Sequence, residues 1–389
     1  MGDEADRRIV GEYCAILVAP NDRLVRLSRS PLRAPPLYYA SQAGLVVVAS
    51  VPRAIFAAGI ERQLNEVRVA DSALINFTDR EASWFKGVKR VPLASTVELK
   101  PGRERRLRTY YDLLSMPDIR MNSDDDYIRR AGELLDEAIA RCIAGARKPG
   151  VTLSGGLDSP QVAARAMAQL PAGRKLPSFT FHPEPGWDGI VVDGMSGDER
   201  PFVEKFAEMH PGIEPHFTEN RGYGHDYRWN EMFNAMGGAT SGLCNVYVLH
   251  GLFAGAREQG CDLLLFSDWG NFTFSDKGEW AFAEYLLNGR WRELYLALAH
   301  HPNDDRSLLR KFVALSLVPL LPDSLWRAMM KLWHPTEKPL LDIMSPLRAD
   351  YRKASGADAE EVGAGLRTLS ALEPAARPRV AVQEPRWRG

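Results

Sequence analysis

The stretch from residue 149 to residue 170 restricts the fold more than any other part of the chain. It reads Pro-Gly-Val-Thr-Leu-Ser-Gly-Gly-Leu-Asp-Ser-Pro-Gln-Val-Ala-Ala-Arg-Ala-Met-Ala-Gln-Leu. This order predicts a short buried strand at 151–153, a glycine-rich turn at 154–158 and an alanine-rich helix from Ser159. Two adjacent glycines let an anion approach the backbone of the turn, and the first N–H groups of the helix point at it. The stretch therefore predicts a phosphate site between a strand and a helix.

The first turn of this helix has residues that suit a helix start. Pro160 fits there because its missing N–H costs nothing in the first turn, and either Asp158 or Ser159 can cap. No Gly-Lys-Ser or Gly-Lys-Thr follows, so the turn is not a Walker A phosphate loop.

The hexapeptide Ser-Gly-Gly-Leu-Asp-Ser resembles the pyrophosphate loop of the ATP pyrophosphatase superfamily, whose members cleave ATP between the α and β phosphates. The flanking sequence, over roughly residues 11 to 300, resembles the asparagine synthetase family. This resemblance implies ATP and Mg²⁺ as cofactors. It also implies an ATP and pyrophosphate site that includes Ser154, Gly155, Gly156, Leu157, Asp158 and Ser159.

Strands and helices alternate after residue 150. The predicted strands are 151–153, 176–181, 213–217 and 263–266, and the predicted helices run to 170, over 199–209 and over 244–259. Such alternation predicts an α/β fold with a parallel sheet covered by helices, and ligands at the carboxyl ends of the strands. The resemblance implies the ATP pyrophosphatase, HUP-like version of this fold.

Two further segments of this region are candidate parts of the site. Ser178, Phe179, Thr180 and Phe181 resemble the strand whose backbone receives the adenine, although their side chains are equally typical of a strand core. Gly-Asp-Glu-Arg at 197–200 opens the next helix. Asp198 is predicted as its N-cap and Glu199 as a first-turn acid, rather than either as a ligand contact.

The segment 267–272, Ser-Asp-Trp-Gly-Asn-Phe, takes the place of a second family signature that reads approximately Ser-Gly-Asp/Glu-Gly-x-Asp-Glu. The resemblance implies that Ser267 and Gly270 contact ATP and that Asp158 and Asp268 bind Mg²⁺. Asn271 and Phe272 replace the terminal acid pair. Because Mg²⁺ is held by one or two carboxylates with phosphate oxygens, this departure predicts weakened metal binding.

Residues 11–110 alternate apolar runs with turn signals, which predicts a β-rich domain. Gly-Glu-Tyr at 11–13 and Arg-Ser-Pro-Leu-Arg at 29–33 resemble the second half of the family's glutaminase domain, an N-terminal-nucleophile fold. Such an enzyme needs Cys as its first residue, and this chain starts Met1-Gly2. Cys14 lies inside a predicted strand and is interpreted as a core thiol. Glutamine hydrolysis is therefore expected to be absent from this polypeptide. Either the domain has become a structural remnant, or the sequence begins downstream of the true start.

The expected domains are a partial glutaminase-like domain at 1–122, an ATP-binding synthetase domain at 123–355 and a flexible tail at 356–389. Three acids at 124–126 are predicted as cap and first-turn residues of a helix over 124–146. Beyond residue 280 the chain is predicted to be helical. Its tryptophans at 280, 291, 326 and 333 are interpreted as core anchors, and the histidines at 300 and 301 as a solvated helix end.

Charge and composition exclude several classes of protein. A net charge of -1 gives no electrostatic reason to bind nucleic acid. No secretory leader and no run of about 18 apolar residues is evident, which favours a cytoplasmic protein without membrane spans. The four cysteines are scattered, so reduced and mostly buried thiols are expected.

Two classes of function remain. The first is an AMP-forming amide ligase that adenylates a small-molecule or peptide carboxylate and transfers it to ammonia or an amine. Within this class, asparagine synthesis is the default reaction. The alternative is that of a lasso-peptide macrolactam synthetase or a related natural-product amidation enzyme. The second class is an inactive nucleotide-binding remnant. No single residue is predicted to be catalytic, and a homodimer is possible.

Overall fold

The computed structural model divides the chain into two compact units. One comprises Met1–Ser115, Phe233–Ala239 and Gly278–Gly389, and the other Met116–Met232 and Thr240–Lys277. The structure describes residues 5–301 and 304–322, except 43, 74–78, 118, 192–195, 221, 225, 238–245, 269, 271, 272, 274–277, 279 and 280, and beyond these only residues 324, 325, 328, 348 and 350. The predicted tail at 356–389 lies outside the described residues.

The first unit contains two antiparallel sheets. One has the order β1-β2-β6-β7 and the other β4-β3-β5. Their strands are β1 (Cys14–Ala19), β2 (Leu24–Arg29), β3 (Tyr38–Gln42), β4 (Leu45–Ala49), β5 (Val88–Arg90), β6 (Ser95–Leu99) and β7 (Arg106–Thr109). Leu27 of β2 lies opposite Val97 of β6, and both are fully buried with Tyr39 of β3 in one core. The predicted β-rich N-terminal region is confirmed.

Short helices complete the first unit. They are α1 (Ala5–Arg8), α2 (Pro52–Ala57), α3 (Glu66–Ala73), α9 (Ala281–Leu287), α10 (Trp291–Ala299) and α11 (Leu308–Lys311), the last continued by a π-helical segment (Phe312–Leu317) and a 3₁₀ turn (Val318–Leu320). Ile55 of α2 packs with Tyr38 and Val88 of the second sheet. Phe282 of α9 and Leu294 of α10 belong to a separate core.

The second unit is built on a four-stranded parallel sheet with the order β10-β9-β8-β11. Its strands are β8 (Pro149–Thr152), β9 (Leu176–Phe181), β10 (Ile213–Thr218) and β11 (Leu263–Leu265), and the helices of this part of the chain are α4 (Asp124–Ile143), α5 (Asp158–Ala168), α6 (Arg200–Met209), α7 (Trp229–Met236) and α8 (Val246–Glu258). The predicted α/β class with a parallel, helix-covered sheet is confirmed.

Helices cover both faces of this sheet. Val162 of α5 and Val203 of α6 pack with β-strand residues in one apolar core, to which α4 contributes Ile139. On the opposite face, Leu252 of α8 packs on Phe179. The strand order reverses between β8 and β11, because β9 and β10 lie on one side of β8 and β11 lies on the other. In sheets of this kind, ligands bind outside the carboxyl ends of the strands at that point.

Several local predictions were wrong. The cap of α4 is Ser123, whose hydroxyl accepts from the Asp126 N–H at 3.2 Å, so the three acids are first-turn residues only. Cys142 is exposed rather than buried, and Trp291 is 61% exposed and therefore not a core anchor. The His301 side chain is only 16% exposed and faces Asp304. No helix in the described part of the chain is long and apolar enough to cross a membrane.

Candidate nucleotide site at the strand reversal

Two serine hydroxyls hold the loop between β8 and α5 in shape. The Ser154 N–H donates to Ser159 Oγ at 2.8 Å, and the two hydroxyl oxygens are also 2.8 Å apart. The Gly156 N–H points at Ser154 Oγ at 3.3 Å. Ser159 is only 4% exposed, so its hydroxyl faces into the loop. Both serines therefore support the backbone of the loop in this conformation.

The outer side of the loop is open. Gly155, Gly156 and Leu157 are exposed, and a Cβ added to Gly156 would meet only Ser154 Oγ, at 3.5 Å. The first N–H groups of an α-helix have no acceptor within the helix, and those of α5 follow directly on this exposed turn. The N-cap is Leu157, which makes no side-chain cap, so the prediction that Asp158 or Ser159 caps the helix was wrong. An uncapped helix start beside an open turn suits an anion.

Asp158 is the first residue of α5. Its Oδ1 is buried and has no hydrogen-bond partner among the residues that the structure describes. Gly270, from the turn after β11, lies directly against this carboxylate: a Cβ on Gly270 would stand 2.4 Å from both Cγ and Oδ2 of Asp158. Only a glycine permits such an approach. The structure therefore brings the β8 loop and the β11 loop together at the strand reversal.

The Asp158 carboxylate is a candidate ligand for a divalent cation. A buried carboxylate oxygen without a partner is costly, and a hard cation such as Mg²⁺ takes oxygen ligands of this type. Among the residues that the structure describes, no group of three or more His, Cys, Asp or Glu side chains is arranged to hold a metal. Asp158 therefore fits an Mg²⁺ ion whose remaining ligands come from water and phosphate oxygens.

The other residues of the β11 loop are placed less closely. Ser267 is half-buried, and its carbonyl accepts from the Gly270 N–H at 3.3 Å. Asp268 is exposed and lies two residues before Gly270. Asn271 and Phe272, where the chain departs from the family signature, lie outside the described residues.

The side chains of β9 serve the core. Ser178 and Phe179 are fully buried and Thr180 is 1% exposed. The Thr180 hydroxyl donates to the Leu153 carbonyl at 2.8 Å, and the Phe179 ring stacks on His216 with 5.4 Å between centroids. In this strand only Phe181, at the carboxyl end, is half-buried. If adenine lies here, the contact is with the backbone at the end of the strand.

The two acids before α6 have different roles from those predicted. Asp198 Oδ1 accepts from the Arg200 N–H at 3.1 Å, and the Arg200 guanidinium, its main partner, holds the pKa of Asp198 below its usual range. Glu199 occupies the N-cap position without making a cap bond. Burial raises the pKa of Glu199, and the Gly155 N–H opposes that shift. The first turn of α6 contacts the loop through Phe202, which lies against Gly155, and sequence reasoning missed this contact because nothing local in residues 197–200 signals it.

Comparison with known proteins shows a similarity for this region. The asparagine synthase family model matches residues 130–265, which hold β8 to β11 and the helices between them. No curated protein sequence matches the chain. Among solved structures, the chain is similar to the U34-tRNA thiolase NcsA from Methanococcus maripaludis, determined with its 4Fe-4S cluster, at 19% identity and a TM-score of 0.27 over 64% of this chain and 82% of that one. Residues 130–265 are therefore similar to the asparagine synthase family.

Proposed function

We propose that this protein is an AMP-forming amide ligase that activates a carboxylate with ATP and passes the acyl group to ammonia or an amine. One observation carries the proposal. The open turn at 154–157 and the start of α5 lie beside a buried carboxylate oxygen of Asp158 that lacks a hydrogen-bond partner. A bound Mg²⁺ with a phosphate anion would satisfy both features at once.

The reaction has two balanced steps. A substrate carboxylate oxygen attacks the α phosphorus of ATP, the bond from that phosphorus to the β-phosphate oxygen breaks, and pyrophosphate leaves. The amine nitrogen then attacks the acyl carbon, AMP leaves with the bonding electron pair, and the nitrogen loses a proton to solvent. The chain's own groups contribute positioning and charge stabilisation, which suffice for much of phosphoryl-transfer catalysis.

Each residue of the site takes one part in this scheme. The backbone N–H groups at the start of α5 donate hydrogen bonds to the departing pyrophosphate. Ser154 and Ser159 hold the loop that presents those groups. Asp158 would hold Mg²⁺, with Asp268 as a proposed further ligand, and that ion would neutralise the charge of the phosphates. Gly270 keeps the β11 loop against Asp158.

The nitrogen is proposed to come from free ammonia or an amine. Aspartate is the default carboxylate, because asparagine synthesis is the reaction for which the matched family is named. A peptide carboxylate, closed to a macrolactam, is the alternative within the same chemistry.

Pyrophosphate release from ATP tests the proposal. The protein is incubated with Mg-ATP, ammonium and aspartate, then with candidate peptides in place of aspartate. We expect stoichiometric AMP and pyrophosphate with at least one carboxylate. ADP and inorganic phosphate as products would exclude this mechanism, because they report cleavage at the other phosphate bond.

An inactive nucleotide-binding remnant is the second candidate, and the Asn271-Phe272 pair is the observation that favours it. Asn271→Asp distinguishes the two. If charge lost at this position limits a remnant, the variant gains roughly tenfold in Mg-ATP affinity, or about 1.4 kcal/mol. Turnover by the parent protein with an unchanged affinity in Asn271→Asp would exclude the remnant.

A further inference from the structure

A cavity of about 330 Å³ lies between strand β10 and helix α8. None of the described residues that line it belongs to the loop at 154–159 or to the β11 loop. In the sheet order β10-β9-β8-β11, β10 is two strands from β8, which is roughly 10 Å at the usual spacing of strands. The cavity is therefore a candidate site apart from the phosphate loop.

The floor of the cavity is closely packed. A Cβ on Gly255 of α8 would lie 2.6 Å from Thr218 Cγ2 and 3.4 Å from Phe179 Cδ1, so the helix approaches the strands as closely as a glycine permits. The His216 ring stacks on Phe179, with 5.4 Å between centroids and 19° between planes. Its Nε2 is buried and has no hydrogen-bond partner among the described residues. A buried polar atom of this kind is costly unless a ligand or a water molecule pairs with it.

Hydrogen-bond acceptors predominate among the neutral side chains of the lining. The Thr218 hydroxyl donates to the Thr180 carbonyl at 3.5 Å and keeps its lone pairs as acceptors. His182 Nδ1 lies 2.8 Å from the Pro183 carbonyl oxygen. Because a carbonyl oxygen only accepts, this nitrogen carries the proton, and Nε2 of the neutral ring is an acceptor. Both side chains therefore have acceptor capacity left for a ligand.

The charge of the lining is negative. Glu219, directly after β10, and Glu258, the last residue of α8, line the cavity together with Gln259. Among the lining residues that the structure describes, none is a lysine or an arginine. Ionised carboxylates accept hydrogen bonds and cannot donate them. The cavity thus favours a ligand that carries positive charge and several N–H donors.

We propose that this cavity binds a protonated organic amine, whose N–H groups donate to the Glu219 and Glu258 carboxylates and to the ring nitrogens of His182 and His216. The volume of the cavity is at the lower end of the range for small-molecule sites. It is about ten times the volume of one water molecule in the liquid, so the ligand is larger than ammonia. The two carboxylates disfavour the phosphates of a nucleotide. The proposal does not depend on the amide ligase chemistry.

Putrescine is the probe, because it carries two ammonium groups on a short apolar chain, and 1,4-butanediol is its uncharged counterpart. Calorimetry at about 0.15 M salt, where distant exposed charges are screened, measures both affinities. The double variant Glu219→Gln/Glu258→Gln removes the charge and keeps the shape, whereas His216→Phe keeps a ring to stack on Phe179 and removes the ring nitrogens. Glu214→Gln is the matched control, since Glu214 is an exposed glutamate of the same strand that does not line the cavity. Thermal melting checks the fold of each variant.

We expect the parent protein to bind putrescine and not 1,4-butanediol, and bound putrescine to slow hydrogen exchange in the peptide over 213–220. The double variant should lose at least about tenfold in putrescine affinity, the effect of one charge-assisted hydrogen bond. His216→Phe should lose roughly threefold, the effect of one neutral hydrogen bond, and Glu214→Gln should match the parent.

Three results with putrescine would each overturn the proposal: no binding to the folded parent protein, equal binding of the diol, or an unchanged affinity in the double variant. Hydrogen exchange on the parent protein gives a check that needs no substitution, because slowed exchange only outside 213–220 would place the amine elsewhere. Loss of Mg-ATP affinity in the double variant would assign the cavity to the nucleotide site, and the proposal would also fail.

Discussion

The contact between Gly270 and Asp158 makes the sharpest prediction from this structure. A methyl group at Gly270 would stand 2.4 Å from Asp158 Cγ and Oδ2 and 2.8 Å from its Cβ. Non-bonded heavy atoms prefer about 3.5 to 4.0 Å, so the overlap exceeds 1 Å and one loop must move. Overpacking of this kind costs roughly 1–3 kcal/mol. We expect Gly270→Ala to lose that much stability and at least tenfold in Mg-ATP affinity.

Chemical denaturation and calorimetry with Mg-ATP measure the two effects. Gly145→Ala is the control, because that glycine has no neighbour within 4 Å and no positive φ. A double-mutant cycle with Asp158→Ala then locates the cause, since this change removes the two nearest atoms. The cost of Gly270→Ala should fall by about 1 kcal/mol in the Asp158→Ala background. Equal costs in both backgrounds, or a Gly270→Ala protein indistinguishable from Gly145→Ala, would refute the contact.

Three further changes test the loop and its surroundings. Gly156→Ala should leave the melting temperature nearly unchanged, because the added Cβ has room. The methyl group would stand on the open face of the loop, so pyrophosphate binding should weaken about tenfold. An unchanged pyrophosphate affinity in calorimetry would contradict this. Asp158→Asn should abolish the Mg²⁺ dependence of ATP binding at equal or higher stability, and persistence of that dependence would remove the metal role. Glu199→Gln should be more stable than the parent at neutral pH. Because burial raises the pKa of Glu199 above its ordinary 4.5, this gain should shrink as pH falls through the raised pKa and vanish below 4.5; a gain independent of pH would contradict the argument.

Local pattern was enough to predict the α/β unit. Strands β8, β9 and β11 contain short apolar runs, and α5 and α6 follow β8 and β9 with apolar residues at helical spacing, whereas α7 (Trp229–Met236) was not predicted. In the first unit, β5 and β7 escaped detection because Val88–Arg90 and Arg106–Thr109 are short and rich in lysine and arginine. These strands are specified by their antiparallel partners, β3 and β6, and a partner distant in the chain leaves no local signal.

Local pattern was also enough to predict part of the site. The loop at 154–159 is contiguous, so its glycines and its following helix can be recognised together. The contacts that shape it are not contiguous: Phe202 is 47 residues from Gly155, and Gly270 is more than 100 residues from Asp158. The misassigned cap has another cause. Asp158 is a good capping residue by type, but its carboxylate faces the β11 loop, where Gly270 leaves room for it.

The Gly270 contact also separates two roles of the β11 loop. The backbone at Gly270 determines how closely this loop approaches Asp158. The acids of the family signature stand at the positions that follow Gly270. Charge and shape can therefore change independently, since Asn271 stands where the signature has an acid while Gly270, at the variable position before it, permits the approach. Asn271→Asp should for this reason alter Mg-ATP affinity with little effect on stability, the opposite of Gly270→Ala. If Asn271→Asp and Gly270→Ala changed the stability of the protein alike, the loop would not have these two separate roles.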